Sequence, residues 1–229
     1  MIARRALAVA LTVGLCLLSG CTSSSSTAVP ATTAPPAAEL LATSATAMSS
    51  VTSANFTITV DGQLPAVTIK SAEGTLTAAG DAKGTATITQ LGQLLEVEFV
   101  LVGGNLYLKG ATGGFTQVPA ALAGGLYDPS AILDPDKGVA KMLSSVTGAT
   151  NVGTDGDAWV VTGTVPAAVA GGLVPGISTD VAGTFTIDMA TSQLTAAQFE
   201  LPGADGKPAT VKVDLSDFNQ SVSISPPGG

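Results

Sequence analysis

Histidine is absent from this chain. Its absence excludes Ser-His-Asp and Cys-His nucleophilic sites and every imidazole metal ligand. Cysteine occurs only at positions 16 and 21, too few for a disulfide framework. Charge is sparse as well, at 11% of residues, and aromatics make up 4%. Positive charge is the scarcer sign: after Arg4 and Arg5 there are seven lysines against seventeen acidic residues, a net charge of −10 beyond the first 20 residues. No basic surface remains to bind nucleic acid or to draw the chain onto anionic headgroups. Two carboxylates could still share acid–base work, but the placeable acids lie on wet strand faces, caps or turns. The reading therefore calls for no catalytic residue, metal or cofactor, and the protein is not expected to be an enzyme.

What the chain has in quantity is apolar surface, at 45% hydrophobic residues and a mean hydropathy of +0.46. Some of this sits in an opening leader. Arg4 and Arg5 precede Ala6–Leu18, an uncharged run of 13 residues, too short for a membrane span and laid out as a secretory signal. Leu18-Ser19-Gly20-Cys21 then resembles a bacterial lipobox, in which the cysteine takes up diacylglycerol and the chain is cut just before it. Residues 1–20 are thus expected to be a lipoprotein signal peptide, and Cys21 the lipid attachment site. Two or three acyl chains would hold the protein on the outer face of the cell membrane or beyond it in the cell wall. Thr22–Ala38 carries no charge, only Ser, Thr, Ala, Pro and Val, so 21–38 reads as a lipidated cysteine followed by a disordered tether. Its 17 residues would reach about 23 Å as a random coil.

Residues 39–229 remain for a single domain. Glu39–Val51 is a predicted helix, with Leu41, Ala45 and Met48 on one stripe. Beyond it the period becomes two. Phe56, Ile58 and Val60 alternate with polar residues, as do Leu95, Val97, Phe99 and Leu101, and later Val211 and Val213. Further strands are predicted in 74–80, 84–92 (Ala86, Ile88), 105–110 (Leu106, Leu108), 157–165 (Trp159, Val161), 183–188 (Phe185, Ile187) and 196–201 (Phe199, Leu201). Alternation predicts antiparallel strands with one wet and one covered face, and nine to eleven of them should curl strongly. Two interruptions, 127–146 and 166–176, are predicted to be helical or an apolar helix or loop. The expected fold class is α+β: a strongly curved antiparallel sheet with helices on its covered face. That face is lined by the apolar residues just named, from Phe56 to Phe185. Leu122, Leu126, Ile132, Leu133, Met142, Val169, Leu173 and Val174 in the lid segments border the mouth of any cavity.

Asp134-Pro135 is predicted as an N-cap with proline at the first helical position. Asp155-Gly156-Asp157 reads as a hairpin turn, and Trp159 as packing. The uncharged run 160–179 is interrupted by glycines and prolines and is not expected to span a membrane.

"FTITVDGQLP", "LYDPSAILDPDKGVAKML" and "VTGTVPAAVAGGLVPG" resemble the mycobacterial LppX/LprA/LprF/LprG lipoprotein family over the whole domain, with an LprG-like cast. The resemblance implies a Lol-carrier-like half-barrel around a hydrophobic cavity. It also implies a monomer that binds di- or triacylated lipids or glycolipids, carries them across the cell envelope and works with an envelope lipid transporter. By matching position, Ala86 and Ile88 would line the cavity, and Ala86→Trp would block lipid uptake without unfolding. The alternative is a scaffold or accessory subunit of an envelope transporter, with a small or filled cavity.

Overall fold

The structure is a computed structural model that describes residues 34–64, 68–110, 112–119, 129–134, 136–173 and 177–228. The leader, Cys21, Leu122, Leu126 and Val174 lie outside the described residues. α1 (Ala37–Ser49) begins inside the segment expected to be tether, directly after Pro36, whose carbonyl accepts the Glu39 and Leu40 amides. It buries Ala37, Leu41, Ser44 and Met48 on one stripe.

Among the described residues eleven strands follow, all antiparallel and in one sheet. β1 (Ser53–Asp61), β2 (Ile69–Thr77), β3 (Ala82–Gln90), β4 (Gln93–Val102), β5 (Asn105–Lys109) and β6 (Thr116–Pro119) form the first meander. A 3₁₀ turn (Pro129–Leu133) and α2 (Val139–Ser145) lead into β7 (Thr147–Asp155) and β8 (Ala158–Val165). α3 (Ala167–Leu173) then connects to β9 (Val181–Asp188), β10 (Leu194–Pro202) and β11 (Pro208–Ser216). The order is β6-β5-β4-β3-β2-β1-β11-β10-β9-β8-β7, so β1 joins the two meanders and the edges β6 and β7 leave the sheet open.

Each half contains one cross-strand pair of glycines. Gly74 on β2 faces Gly84 on β3, and Gly163 on β8 faces Gly183 on β9. A Cβ on Gly84 would lie 2.0 Å from the Glu73 carbonyl oxygen, so the two backbones approach as only glycine allows. Phenylalanines cover the bare backbone. Phe56 and Phe99 flank the first pair across β1 and β4, while the Phe185 ring lies over Gly183 and meets Phe199 edge-on at 6.0 Å.

The buried core lies on one face and is drawn from Ala37 to Leu215. Two expectations change in detail. Asp134 does not cap α2: its carboxylate accepts the Asp136 and Lys137 amides at 2.8 and 3.0 Å and closes the preceding turn. Gly138 instead precedes the helix, packed so tightly that a Cβ would lie 2.4 Å from the Ile132 carbonyl oxygen. The strand expected over 84–92 ends at Gln90, and Leu91-Gly92 form a two-residue turn with φ of +51° and +77°.

Candidate functional site

Between the sheet and the helices lies an apolar cavity of about 60 Å³. Its floor is made by Ile58 and Val60 of β1, Ile69 of β2, Leu194, Ala197 and Phe199 of β10, and Val211, Val213 and Leu215 of β11. Leu64, Ile132, Val139, Met142 and Leu173 complete the wall. Every lining side chain among the described residues is apolar. Water gains no side-chain hydrogen bond there, and such a space stays dry. A second void of about 30 Å³ lies alongside it and shares Met142, Leu173, Phe199 and Val211. Met142 and Leu173 therefore belong to both spaces and come from the lid.

The lid is uneven. α2 buries Val139, Met142 and Leu143 and packs against α1. α3 buries only Ala170 and contains Gly171-Gly172, with Val169 and Leu173 partly buried. Its first amide, Ala167 N–H, donates to Asp180 Oδ1 at 2.9 Å. Helix propensity and packing are both weak in α3, so it is the cheaper side to open.

Among the residues expected on that face, Ile58, Val60, Phe199, Val211 and Val213 border the cavity itself. Phe56, Ala86, Phe99, Val161 and Phe185 are buried in the surrounding core, and Ile88, Val97, Leu101, Leu106, Leu108 and Trp159 pack against it. Leu95, placed on this face with them, is 37% exposed, because it sits at the far end of the β3–β4 hairpin past the last buried row. Of the mouth residues, Ile132, Met142 and Leu173 line the cavity; Leu133 is buried and Val169 half-buried beside them.

Sequence reasoning missed Val139, Ala197 and Leu215 as lining residues, and two more besides, Ile69 and Leu194. Each of the last two stands at a β-bulge, between Ile69 and Ser71 and between Leu194 and Ala196, where the alternation slips by one residue. Leu64 sits in the β1–β2 connection and gives no periodic signal. Among the described residues, no cluster of three or more Asp, Glu or Cys could hold a metal. No helix among them is long and apolar enough to cross a membrane. The acids with displaced pKa values lie in turns. Burial raises that of Asp134, but the Asp136 and Lys137 amides and the Lys137 charge outweigh it, leaving the value below the ordinary 3.8. Asp188 is lowered by hydrogen bonds from the Thr191 hydroxyl and amide, against slight desolvation, and from the Ala190 amide.

A family model described as "LppX_LprAFG lipoprotein" matches residues 36–224. The chain is 33% identical over 221 residues to the "Lipoarabinomannan carrier protein LprG" of Mycolicibacterium smegmatis, covering 92% of this chain and 90% of that one. It is also 33% identical to the protein of the same name from Mycolicibacterium hassiacum, over 97% of both chains. Among solved structures, LprF from Mycobacterium bovis matches with a TM-score of 0.72 at 24% identity, over 84% of this chain and 97% of that one. LppX from Mycobacterium tuberculosis matches with a TM-score of 0.61 at 23% identity, over 82% and 98%. These two share the fold.

Proposed function

Because the chain belongs to the LppX_LprAFG lipoprotein family, we propose that it is a lipid carrier of the cell envelope. It takes the acyl chains of a di- or triacylated lipid or glycolipid under its lid and leaves the headgroup outside. The apolar side chains that line the cavity among the described residues carry this reading. A 16-carbon acyl chain gains on the order of 12 kcal/mol from burial, at about 0.8 kcal/mol per methylene, and crosses water only if a carrier matches that burial. Loading and release then need lid motion and no bond chemistry. Cys21, acylated, would anchor the carrier to the outer face of the cell membrane. A monomer that exchanges cargo with an envelope transporter fits this role.

At about 60 Å³ the cavity is small. Pockets for drug-sized ligands hold about 300–1,000 Å³, so cargo requires α3, and with it Leu173, to move away from the sheet. The small volume also favours a second reading, a transporter scaffold whose core stays filled. Lipid mass spectrometry on residues 22–229 produced in an actinobacterial host separates the two. The carrier reading expects a roughly stoichiometric acylated lipid in the organic extract. A lipid-free extract with no uptake from added native lipid selects the scaffold.

A further inference from the structure

Five large hydrophobic side chains are exposed among the described residues, and three of them fall within five positions: Leu91 at 100%, Leu94 at 66% and Leu95 at 37%. They form the tip of the β3–β4 hairpin. Leu91 occupies a left-handed turn position (φ +51°), where asparagine or glycine would be usual, with its side chain wholly outside. No charged residue occurs from Gly84 to Leu95, and the polar members of the turn are Gln90 and Gln93.

The tip is also continuous with the cavity. Ile69 lines the cavity and pairs with Ile88, which pairs with Leu95. Directly opposed residues share a face, so the three form one apolar row running from the buried floor to the exposed tip. The Thr89 amide donates to the Thr68 carbonyl at 2.8 Å, fixing the tip beside the start of β2.

We propose that this tip is a bilayer-docking element: Leu91, Leu94 and Leu95 enter the apolar layer of a membrane, and the Ile69–Ile88–Leu95 row then joins that layer to the cavity. Three side chains on a narrow hairpin offer far less than the roughly 800 Å² per partner of a stable protein interface. They suit insertion between lipids, and the stretch carries no ionised side chain, the kind that most resists leaving water. An acylated Cys21, were it to anchor the chain, would keep a bilayer close to the domain. The use of the contact for lipid transfer rests on the carrier reading; the contact itself does not.

Residues 22–229 contain the whole buried core and no cysteine. This chain, with an N-terminal hexahistidine in place of the anchor, is captured on nickel-chelating vesicles of phosphatidylglycerol and phosphatidylethanolamine. An environment-sensitive nitrobenzoxadiazole probe is attached through Leu91→Cys, or through Met189→Cys in the β9–β10 turn at the opposite end of the sheet. The probe at 91 is expected to shift to the blue and to lose at least half its emission to doxyl-labelled lipid, while that at 189 keeps its aqueous spectrum. Adding Leu94→Gln and Leu95→Gln should abolish most of the quenching at 91. Equal, unquenched spectra at 91 and 189 overturn the proposal and leave the tip to a protein partner. Organic extraction of the same protein before it meets the vesicles tests cargo separately: lipid-free protein with a quenched probe at 91 refutes the carrier reading and sustains docking. Loaded protein with an unquenched probe does the reverse.

Discussion

Phe56 on β1 and Phe99 on β4 bring their ring centroids to 6.5 Å, although two whole strands separate them. In a flat sheet, strands three steps apart lie about 14 Å from each other. The rings meet by leaning over Gly74 and Gly84, the residues between them in the same cross-strand row. Removing two side chains from the inner face lets the sheet coil, and the phenylalanines refill the space. Gly84→Val would push its Cβ to 2.0 Å from a backbone oxygen that cannot rotate away. It is expected to destabilise the domain by about 2–3 kcal/mol, read as a lower urea midpoint.

That row shows where sequence reading stops. β1, β4 and β11 alternate cleanly, because their inner faces meet the core without interruption, and they were legible with the fold class. The register that sets Gly74 against Gly84 is not, since no local signal names a strand's partner. β2 and β10 hid their first cavity residues behind bulges, and β7, bulged twice and largely polar, gave no strand signal. Met142 and Leu173 were legible as lid residues from the apolar insertions that hold them. Their shared position between two voids required coordinates.

Leu173 is half-buried at the edge of both voids, so it can enlarge without forcing the sheet apart. Leu173→Trp should fill the space that α3 must vacate. Expected is at least a tenfold loss of lipid uptake with the thermal midpoint held within a few degrees. Ala86→Trp is the harsher substitution, because Ala86 is 8% exposed between Ala72 and Val97 in the packed core. It should cost about 1–3 kcal/mol from overpacking, seen as a lower urea midpoint beside any change in uptake.

The two glycines of α3 make an internal control. A Cβ at Gly172 meets nothing within 4 Å, whereas one at Gly171 falls 2.7 Å from the Ile177 carbonyl oxygen. Gly172→Ala should stabilise by about 0.5–1 kcal/mol through helix propensity and a less flexible unfolded chain. Gly171→Ala should destabilise. If opening α3 limits uptake, Gly172→Ala slows lipid loading several-fold in a stopped-flow assay with a fluorescent acyl lipid.

Asp188 gives the fold an acid-sensitive corner in the β9–β10 turn. Its carboxylate accepts the Thr191 hydroxyl and amide at 2.7 Å each and the Ala190 amide at 3.1 Å, which holds its pKa below 3.8. A carboxylate depressed in the folded state contributes stability fully above its unfolded pKa and loses it as pH falls through the folded value. The β9–β10 turn is therefore expected to be unchanged from pH 7 to about 5 and to loosen below about 3.8. Because Asp188 is only half-buried and its partners all lie in one turn, the effect is local. Amide exchange at Ala190 and Thr191, corrected for intrinsic rates, should quicken severalfold between pH 5 and 3. In Asp188→Asn, which removes the titrating group, the corrected rates should be nearly independent of pH across that window.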